Sequence, residues 1–345
     1  MSTPVQPAPS EERRVAVLGA GSWGTALAKL VADQGHQVRL WSRRAEHASA
    51  IEAAKENLTY LPGFTLPDNL MASSSIEEVV RDAEFVISVV PTHGTREVIT
   101  RSLPFLPSDI PIIAATKGIE NETLLLVSDI FRDVLPKDQH RCLAFLGGPS
   151  FAKEVAAGVP TAVCVGSHDP QIGEAAQNLL STDRFRVYTT EDVIGVELGG
   201  ALKNVVAIAA GIADGLGCGH NTRAALITRG LAEIGRLAST LGANPMTLAG
   251  LSGMGDLVLT CTGDLSRNRR VGLEIGRGKK LQEVLDGMQM VAEGVRTTKS
   301  AYQLAKREGV DMPIAEQVYA MLYEDKPPVQ AVANLMTRPP RAERE

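Results

Sequence analysis

A lysine set among small and apolar residues is the first feature of this sequence that could do chemistry. Lys203 lies in the run Glu197–Asn204 (ELGGALKN), inside the long apolar stretch Val193–Ala213. Burial lowers the pKa of an ammonium group toward the range useful for proton transfer. The pattern predicts an acid–base lysine. The alternative is a lysine whose stem is buried while its ammonium group reaches solvent from the helix edge.

Two short turns carry further polar groups. Thr116-Lys117-Gly118 follows the apolar run Ile110–Ala115, and Gly147–Ala152 (GGPSFA) follows the apolar run Cys142–Leu146. Ligands of open α/β sheets bind beyond the carboxyl ends of the strands. We therefore expect Lys117, the amides around Gly148 and the Ser150 hydroxyl to face one ligand. Ordinary turn chemistry is the alternative for either turn alone.

A third group of polar residues lies further along the chain. The glycine-rich run Leu251–Leu257 (LSGMGDL) bends the backbone at Asp256, and Ser266, Arg267 and Asn268 follow. A hydroxyl, a planar guanidinium and an amide together suit phosphate oxygens. The segment predicts a site for a phosphate-carrying substrate, with Asp256 holding Lys203. The alternative is a polar loop between helices.

The elements that must position these groups begin with a glycine-rich turn. The apolar run Arg14–Leu18 leads into Gly19-Ala20-Gly21-Ser22-Trp23-Gly24 and then into the helix-forming stretch Thr25–Leu30. In this arrangement the first glycine permits a tight turn, the second admits a dinucleotide pyrophosphate, and the third lets helix and strand pack closely. A surface turn is the alternative, but the flanking strand and helix favour dinucleotide binding.

The end of the next apolar run bears on the choice of nicotinamide cofactor. After Gln37–Trp41, where an NAD-preferring fold commonly has an acidic residue, the sequence has Arg43 and Arg44. Two guanidinium groups can receive a 2′-phosphate. NADP(H) is therefore favoured and NAD(H) stays open; the alternative is a pair of solvated arginines.

The order of the elements predicts the fold. Seven apolar runs alternate with helical patterns from Arg13 to about Thr190, which indicates an α/β fold with a mostly parallel, doubly wound Rossmann-like sheet. Helical patterns alone follow, so we expect an all-helical C-terminal domain. The predicted division is a tail at 1–12, a dinucleotide-binding domain at 13–191, a helical substrate domain at 192–337 and a tail at 338–345.

Composition narrows the class of protein. With 345 residues, 44 % of them hydrophobic, and a net charge of −5, the chain fits a two-domain soluble protein that binds small molecules rather than nucleic acid. The four cysteines have no metal-ligand or disulfide-like spacing, so we expect free thiols, no metal and a cytoplasmic location. The first residues lack a signal-peptide core, and Val193–Ala213 contains Glu197 and Lys203, which argues against a membrane span.

In this order, the motifs closely resemble those of the bacterial-type NAD(P)-dependent glycerol-3-phosphate dehydrogenases. The segments that carry the likeness are GAGSWGTALA at 19–28, TKG at 116–118, GPSFA at 148–152, ELGGALKN at 197–204, SGMGDL at 252–257, SRNR at 266–269 and EGV at 293–295. The resemblance covers the chain from Arg13 to about Thr337. Single motifs occur in other hydroxyacid dehydrogenases, but the ordered set is specific to this family.

The resemblance implies interconversion of dihydroxyacetone phosphate and sn-glycerol 3-phosphate with NAD(P)H, which supplies the phospholipid backbone. It implies Lys203 as the catalytic proton donor and acceptor, with Lys117 and Asp256 beside it. It also implies two binding sets. The set around the substrate is Lys117, Gly148, Ser150, Lys203, Asp256, Ser266, Arg267 and Asn268. The set near the cofactor is Gly19, Gly21 and Gly24 of the turn, with Ser22, Trp23, Arg43, Arg44, Lys117, Ala152, Arg267, Val291 and Glu293.

Two other functions are alternatives to this one. A β-hydroxyacid dehydrogenase on the same architecture would act on keto acids instead of a keto phosphate. A non-catalytic NADP(H) sensor would need a DNA-binding module or a damaged lysine site, and the sequence shows neither. A homodimer is compatible with apolar faces in the helical half.

Overall fold

The computed structural model describes residues 11–288, 292–340 and 342–343 of the chain. Its first half contains the strands. They are β1 (Arg14–Leu18), β2 (Gln37–Trp41), β3 (Glu56–Asn57), β4 (Leu61–Thr65), β5 (Leu70–Ser73), β6 (Phe85–Ser88), β7 (Ile112–Ala114), β8 (Leu143–Gly147), β9 (Thr161–Gly166) and β10 (Phe185–Thr190).

Eight of these strands form one sheet in the order β10-β9-β8-β7-β6-β1-β2-β5, while β3 and β4 pair as a separate hairpin. Neighbours in the large sheet are parallel except β8 and β9, which are antiparallel. The order reverses at β1, which lies between β2 and β6. In such sheets the ligand crevice lies at this reversal, beyond the carboxyl ends of the strands.

Among the described residues, seven helices accompany the sheet and nine follow it. The first group is α1 (Ser22–Ala32), α2 (Ala45–Ala54), α3 (Ile76–Val80), α4 (Thr92–Ser102), α5 (Val127–Val134), α6 (Ala152–Ala156) and α7 (Pro170–Leu180). The second group is α8 (Val193–Gly215), α9 (Gly219–Thr240), α10 (Pro245–Leu248), α11 (Asp256–Thr262), α12 (Arg267–Gly276), α13 (Leu281–Asp286), α14 (Glu293–Arg307), α15 (Pro313–Tyr323) and α16 (Pro328–Met336). Short 3₁₀ turns span Leu103–Phe105 and Lys137–Cys142, and a π-helical turn spans Leu251–Gly255.

The sheet is covered on both faces, as the continuous apolar runs predict. Val15 and Val17 of β1 point into one buried cluster, and Ala16 and Leu18 point into another on the opposite face. Because successive strand side chains alternate between faces, a strand buried on both sides must be apolar throughout. The predicted α/β fold with a helical second half is therefore confirmed.

Some elements differ from the sequence-based expectation. β5 was not predicted, because it is an edge strand whose Met71 is exposed and whose apolar signal is weak. The antiparallel direction of β9 was not predicted either. The segment between β8 and β9 contains only the short helix α6, and β9 starts at the same edge of the sheet where β8 ends. This return keeps Gly148, Ser150 and Ala152 at the carboxyl edge.

The helix α8 forms the core of the second half. Every residue from Gly195 to Ala213 is buried, and most of its apolar side chains belong to one cluster shared with α9, α11, α12, α14 and α15. By length and composition α8 could cross a membrane, but 94 % of its apolar window lies inside the protein. Its polar residues are therefore enclosed by protein.

Candidate active site

The glycine-rich turn between β1 and α1 has the shape that a pyrophosphate needs. Gly19 has φ +119°, and a Cβ there would lie 2.9 Å from the Val89 carbonyl oxygen, while a Cβ on Gly24 would collide with the Gly19 carbonyl oxygen. Beside Gly21, by contrast, no described atom lies within 4 Å of the place a Cβ would occupy. The backbone is thus packed tightly at two glycines and open at the one where a dinucleotide would approach.

The first turn of α1 offers donors to this open side. The first intrahelical bond runs from the Thr25 amide to the Gly21 carbonyl at 2.9 Å, so the amides of Ser22, Trp23 and Gly24 precede it. The indole Nε1 of Trp23 is buried and has no hydrogen-bond partner among the described residues. The helix dipole and these amides favour an anion here, so the turn fits a dinucleotide.

The segment after β2 is tied to this turn by buried hydrogen bonds. The His47 ring contacts the Ser42 hydroxyl at 2.9 Å and the Asn57 Oδ1 at 3.0 Å, and the Asn57 amide donates to the Ala20 carbonyl at 3.0 Å. Arg43 and Arg44 themselves are exposed, and Arg44 donates to the Tyr60 hydroxyl at 3.2 Å. Both guanidinium groups are therefore accessible at the β2 end of the crevice.

Two lysines and one aspartate meet at the centre of the molecule. The Lys117 ammonium group donates to Asp256 Oδ2 at 2.8 Å, and the Lys203 ammonium group donates to Asp256 Oδ1. Side-chain exposure is 16 % for Lys117, 9 % for Lys203 and 1 % for Asp256. The reading of Lys203 as a lysine reaching solvent from a helix edge is wrong, because its ammonium group ends on a buried carboxylate.

Burial and charge set the ionisation of this triad. Burial, reinforced by the charge of Lys117 and opposed by Asp256, lowers the pKa of Lys203 to about 8. Burial alone would raise the pKa of Asp256, but the positive charges of Lys117 and Lys203 hold that pKa below its ordinary value. Asp256 is thus an anion, and Lys203 is a cation that releases its proton more readily than an ordinary lysine.

The sequence around these residues explains how they meet. A Cβ on Gly199 would collide with the Ser252 carbonyl oxygen, so only glycine lets α8 approach the π-helical turn that leads into Asp256. At Gly200 a Cβ would lie 3.5 Å from the Lys117 side chain, which crosses α8 there. Glycine is therefore needed at 199, where the backbone that leads to Asp256 approaches α8, whereas a Cβ at 200 would make only ordinary contact with Lys117.

The segment at the start of α12 lies next to this triad. Ser266 caps the helix by accepting from the Arg269 amide at 3.2 Å, and Arg267 is the exposed first residue of the helix. Asn268 is buried; its amide nitrogen donates to Asn204 Oδ1 at 2.8 Å, and its Oδ1 accepts from the Gly294 amide at 3.0 Å. Ser266, Arg267 and Asn268 therefore form a capped helix N-terminus, and the interhelical loop is confined to residues 263–265.

The turn after β8 also contacts Lys117 of the triad. The Lys117 ammonium group also donates to the Gly148 carbonyl at 3.3 Å, and the Ser150 hydroxyl donates to the same oxygen at 3.0 Å. Ala152 starts α6 directly beyond it. The two turns that the sequence predicts at one edge of the sheet therefore contact each other through Lys117.

The start of α14 borders the site as well. Glu293 is half-buried, and burial raises its pKa against the opposing positive charges of Arg267, Lys117 and Lys203. A cleft of about 340 Å³ runs beside it, lined by Thr92, His93, Arg296 and Thr297 among others. Val291, a predicted cofactor residue, lies outside the described residues.

Sequence reasoning overlooked one residue of the site. Asn204 follows Lys203 directly, and its side chain orients Asn268. The signal was available, since a carboxamide on an apolar helix must have a partner when buried.

The cysteines agree with the expectation of free thiols: Cys142, Cys164, Cys218 and Cys261 are all free.

The comparisons with known proteins agree with the geometry. The family model for the N-terminus of NAD-dependent glycerol-3-phosphate dehydrogenase matches residues 14–173, and the model for its C-terminus matches residues 192–333. A curated glycerol-3-phosphate dehydrogenase (NAD(P)+) from a Geobacter species is 55 % identical over 330 residues, which cover 96 % of this chain and 98 % of that protein. The relative of the same name from Myxococcus xanthus is 52 % identical over 330 residues, which cover 96 % of this chain and 98 % of that protein.

A solved structure of a relative has the same fold. The crystal structure of glycerol-3-phosphate dehydrogenase from Coxiella burnetii superposes with a TM-score of 0.90 at 42 % identity, covering 95 % of this chain and 99 % of that chain. Both halves, the full length and the fold match one family. The chain therefore belongs to the NAD(P)-dependent glycerol-3-phosphate dehydrogenases.

Proposed function

We propose that this protein reduces dihydroxyacetone phosphate to sn-glycerol 3-phosphate with Lys203 as the proton donor, and that Lys203 accepts the proton in the reverse oxidation. NAD(P)H, bound at the glycine-rich turn, supplies the hydride when present. The product supplies the backbone of phospholipids. The observation that carries the proposal is the buried contact of Lys203 and Lys117 with Asp256.

The chemistry follows from the charges of this triad. Reduction of the ketone places negative charge on its oxygen, and a positioned ammonium group meets that need by donating a proton. With a pKa of about 8, Lys203 is mostly protonated at neutral pH, yet it gives up its proton more easily than an exposed lysine. Lys117 adds a second positive charge, and Asp256 orients both ammonium groups.

The substrate phosphate is assigned to the start of α12. A helix N-terminus favours an anion, and Ser266, Arg267 and Asn268 add a hydroxyl, a guanidinium and an amide. The bonds of Asn268 to Asn204 and Gly294 hold this end of the helix close to Lys203. Gly148 and Ser150 border the substrate from the opposite turn.

The cofactor is assigned to the crevice between β1, β2 and β6. Gly19, Gly21, Ser22, Trp23 and Gly24 receive the pyrophosphate. Arg43 and Arg44 receive the 2′-phosphate of NADP(H), which makes NADP(H) the preferred cofactor. We also assign Lys117, Ala152, Arg267 and Glu293 to the cofactor, together with Val291, which lies outside the described residues.

Several further properties belong to this proposal. We propose that the reaction needs no metal, since the cofactor supplies the hydride and the lysines supply the charge. We also propose a cytoplasmic homodimer, with α8 as a core helix and not a membrane span. The proposed domains are residues 13–191 and 192–337, with tails at 1–12 and 338–345.

The test is the oxidation of NADPH and NADH, followed by absorbance, with dihydroxyacetone phosphate and with a panel of keto acids. We expect turnover with the keto phosphate. Removing a positioned general acid costs about 100- to 10,000-fold in rate, so Lys203→Ala should lose turnover on that scale while still binding NADPH. Lys203→Arg should rescue little, because guanidinium holds its proton too tightly.

The matched control is Lys299→Ala, which removes an exposed lysine from α14 and should leave turnover unchanged. Turnover of Lys203→Ala above about a tenth of the parent would transfer the acid–base role to Lys117. Preferential turnover of a keto acid would replace the proposed substrate.

A further inference from the structure

The buried carboxylate of Glu197 has no role in the mechanism above, although it opens the same motif that contains Lys203. Glu197 is 8 % exposed. Its Oε1 accepts from the Ser128 amide at 2.8 Å, and its Oε2 accepts from the Ser128 hydroxyl at 2.5 Å. Both bonds leave α8 and end on α5, a helix that packs on the sheet of the first half.

Because Ser128 lies at the start of α5, these bonds hold that end of the helix against α8. Ser128 is the second residue of α5, and the residue before that helix offers no side-chain cap, so Glu197 supplies the acceptor for the helix start. The helix dipole favours a carboxylate at this end, while burial, opposed by the two bonds to Ser128, raises the pKa of Glu197 to about 7. The start of α5 is therefore fastened to α8 at Glu197.

The segment that precedes α5 begins at Lys117. It closes on itself through the bridge between Ile119 and Leu126 and through the bond from the Glu120 amide to the Leu125 carbonyl at 3.0 Å. The Ser300 hydroxyl of α14 donates to the Ile119 carbonyl at 3.1 Å. The closed loop links its end at Ser128 to its beginning at Lys117, where the Thr92 hydroxyl donates to the Lys117 carbonyl at 3.4 Å and the Thr116 hydroxyl donates to the Val90 carbonyl at 2.7 Å.

The same helix holds the other lysine. Glu197 and Lys203 are six residues apart on α8, which is about 9 Å along the helix axis. The helix α8 is continuous from Val193 to Gly215, so Glu197 and Lys203 belong to one uninterrupted element. The two lysines that share Asp256 are therefore connected by a second path, through Glu197, Ser128 and the closed loop.

We infer that Glu197 is a positioning residue for the reaction, which fastens the Lys117 loop to α8 and so sets how Lys117 and Lys203 meet at Asp256. This inference rests on the proposed role of Lys203. A loop freed at Ser128 lets Lys117 move away from Asp256 and admits water to the triad. Because burial and Lys117 are the two influences that lower the pKa of Lys203, that pKa rises toward its ordinary value.

The chain contains a matched control for this role. Glu233 on α9 is 3 % exposed, and its carboxylate accepts from the amides of Ile314 at 2.7 Å and Ala315 at 3.2 Å, at the start of α15. It is therefore a second buried glutamate at a helix N-terminus. Among the described residues, its hydrogen bonds reach neither lysine nor the loop at 118–126.

The test compares Glu197→Ala, Glu197→Gln and Glu233→Ala by steady-state kinetics across pH. For Glu197→Ala we expect kcat to fall about tenfold or more, since displacements near 1 Å cost up to about 100-fold. The loss of ketone reduction at high pH should move to higher pH, since protonated Lys203 is the donor. Glu197→Gln should restore most of kcat, because its amide can accept from the Ser128 amide and donate to the Ser128 hydroxyl.

Two outcomes of the kinetics would overturn the inference. One is an equal loss of kcat in Glu197→Ala and Glu233→Ala with the pH profile unmoved, which would mark a merely structural role. The other is a Glu197→Gln variant as impaired as the alanine variant. Should Glu197→Ala fail to fold, Ser128→Ala removes one of the two bonds and must shift the profile in the same direction; an unshifted profile refutes the inference.

Hydrogen exchange separates this inference from the proposed function. Amides of residues 119–126 should exchange faster in Glu197→Ala than in the parent, whereas Glu233→Ala should leave them unchanged. Unchanged exchange in Glu197→Ala would refute the fastening itself, whichever residue donates the proton. A failure of the proposed function would be seen in a different measurement, because Lys203→Ala would then keep its turnover.

Discussion

Asp256→Asn tests the electrostatics of the triad most directly. The substitution keeps the volume of the side chain but removes the negative charge that both ammonium groups contact. The new amide oxygen can accept from one lysine, while its NH₂ group faces the other. Burial and the charge of Lys117, which both lower the pKa of Lys203, would then act without the opposing carboxylate.

The size of the effect follows from the lost bond. A hydrogen bond to a charged group contributes about 1.5–3 kcal/mol, and one pKa unit corresponds to about 1.4 kcal/mol. The pKa of Lys203, about 8 in the parent, should therefore fall by about 1 to 2 units in the variant. At pH 7 the protonated fraction would fall from about nine-tenths to between about one-half and one-tenth. Ketone reduction, which needs the protonated lysine, should lose that factor in addition to any loss of positioning.

The assay is kcat for reduction of dihydroxyacetone phosphate at saturating NADPH, measured across neutral pH. The fall of the rate with rising pH should occur about 1 to 2 units lower in Asp256→Asn than in the parent. Asp183→Asn, an exposed aspartate between α7 and β10, is the matched control and should keep the parental profile. An unmoved profile in Asp256→Asn, or one moved to higher pH, would refute this account of Lys203.

Three further predictions concern the cofactor, the substrate and stability. Replacing Arg43 and Arg44 by neutral residues should raise KM for NADPH more than KM for NADH in parallel titrations; equal effects would show that the 2′-phosphate does not bind these arginines. Arg267→Ala should weaken binding of dihydroxyacetone phosphate by about 1.5 to 3 kcal/mol, the range for a hydrogen bond to a charged group, and should reduce discrimination against unphosphorylated dihydroxyacetone; full discrimination in the variant would place the phosphate elsewhere. Burial raises the pKa of Glu233 from 4.5 to about 7, so its contribution to stability is present below pH 4.5 and is lost as pH rises to about 7. The free energy of unfolding of the parent, relative to Glu233→Gln, should therefore decrease by about 3 kcal/mol over that range in urea titrations; a difference independent of pH would contradict the assignment.

Much of the fold was predictable because its signals are local. The run Arg14–Leu18, the three glycines and the start of α1 are contiguous, so composition and spacing predict strand, turn and helix together. The cap Ser75, which accepts from the Glu78 amide, is equally local. Edge strand β5 and the direction of β9 were not predictable in this way. Both depend on which strands lie beside them.

The residue types of the candidate site were determined by the sequence alone. Lys203 among glycines and alanines, Lys117 at the end of an apolar run, Asp256 after a glycine-rich bend and the polar residues from Ser266 to Asn268 are all visible without coordinates. Only the tertiary structure decided that Lys117 and Lys203 share one carboxylate, that Asn204 holds Asn268, and that Glu197 reaches Ser128. Lys117 and Asp256 are 139 positions apart, and Glu197 and Ser128 are 69 apart. Local propensity carries no information over such separations, because a buried charge finds its partner only after the sheet and α8 have packed and excluded water.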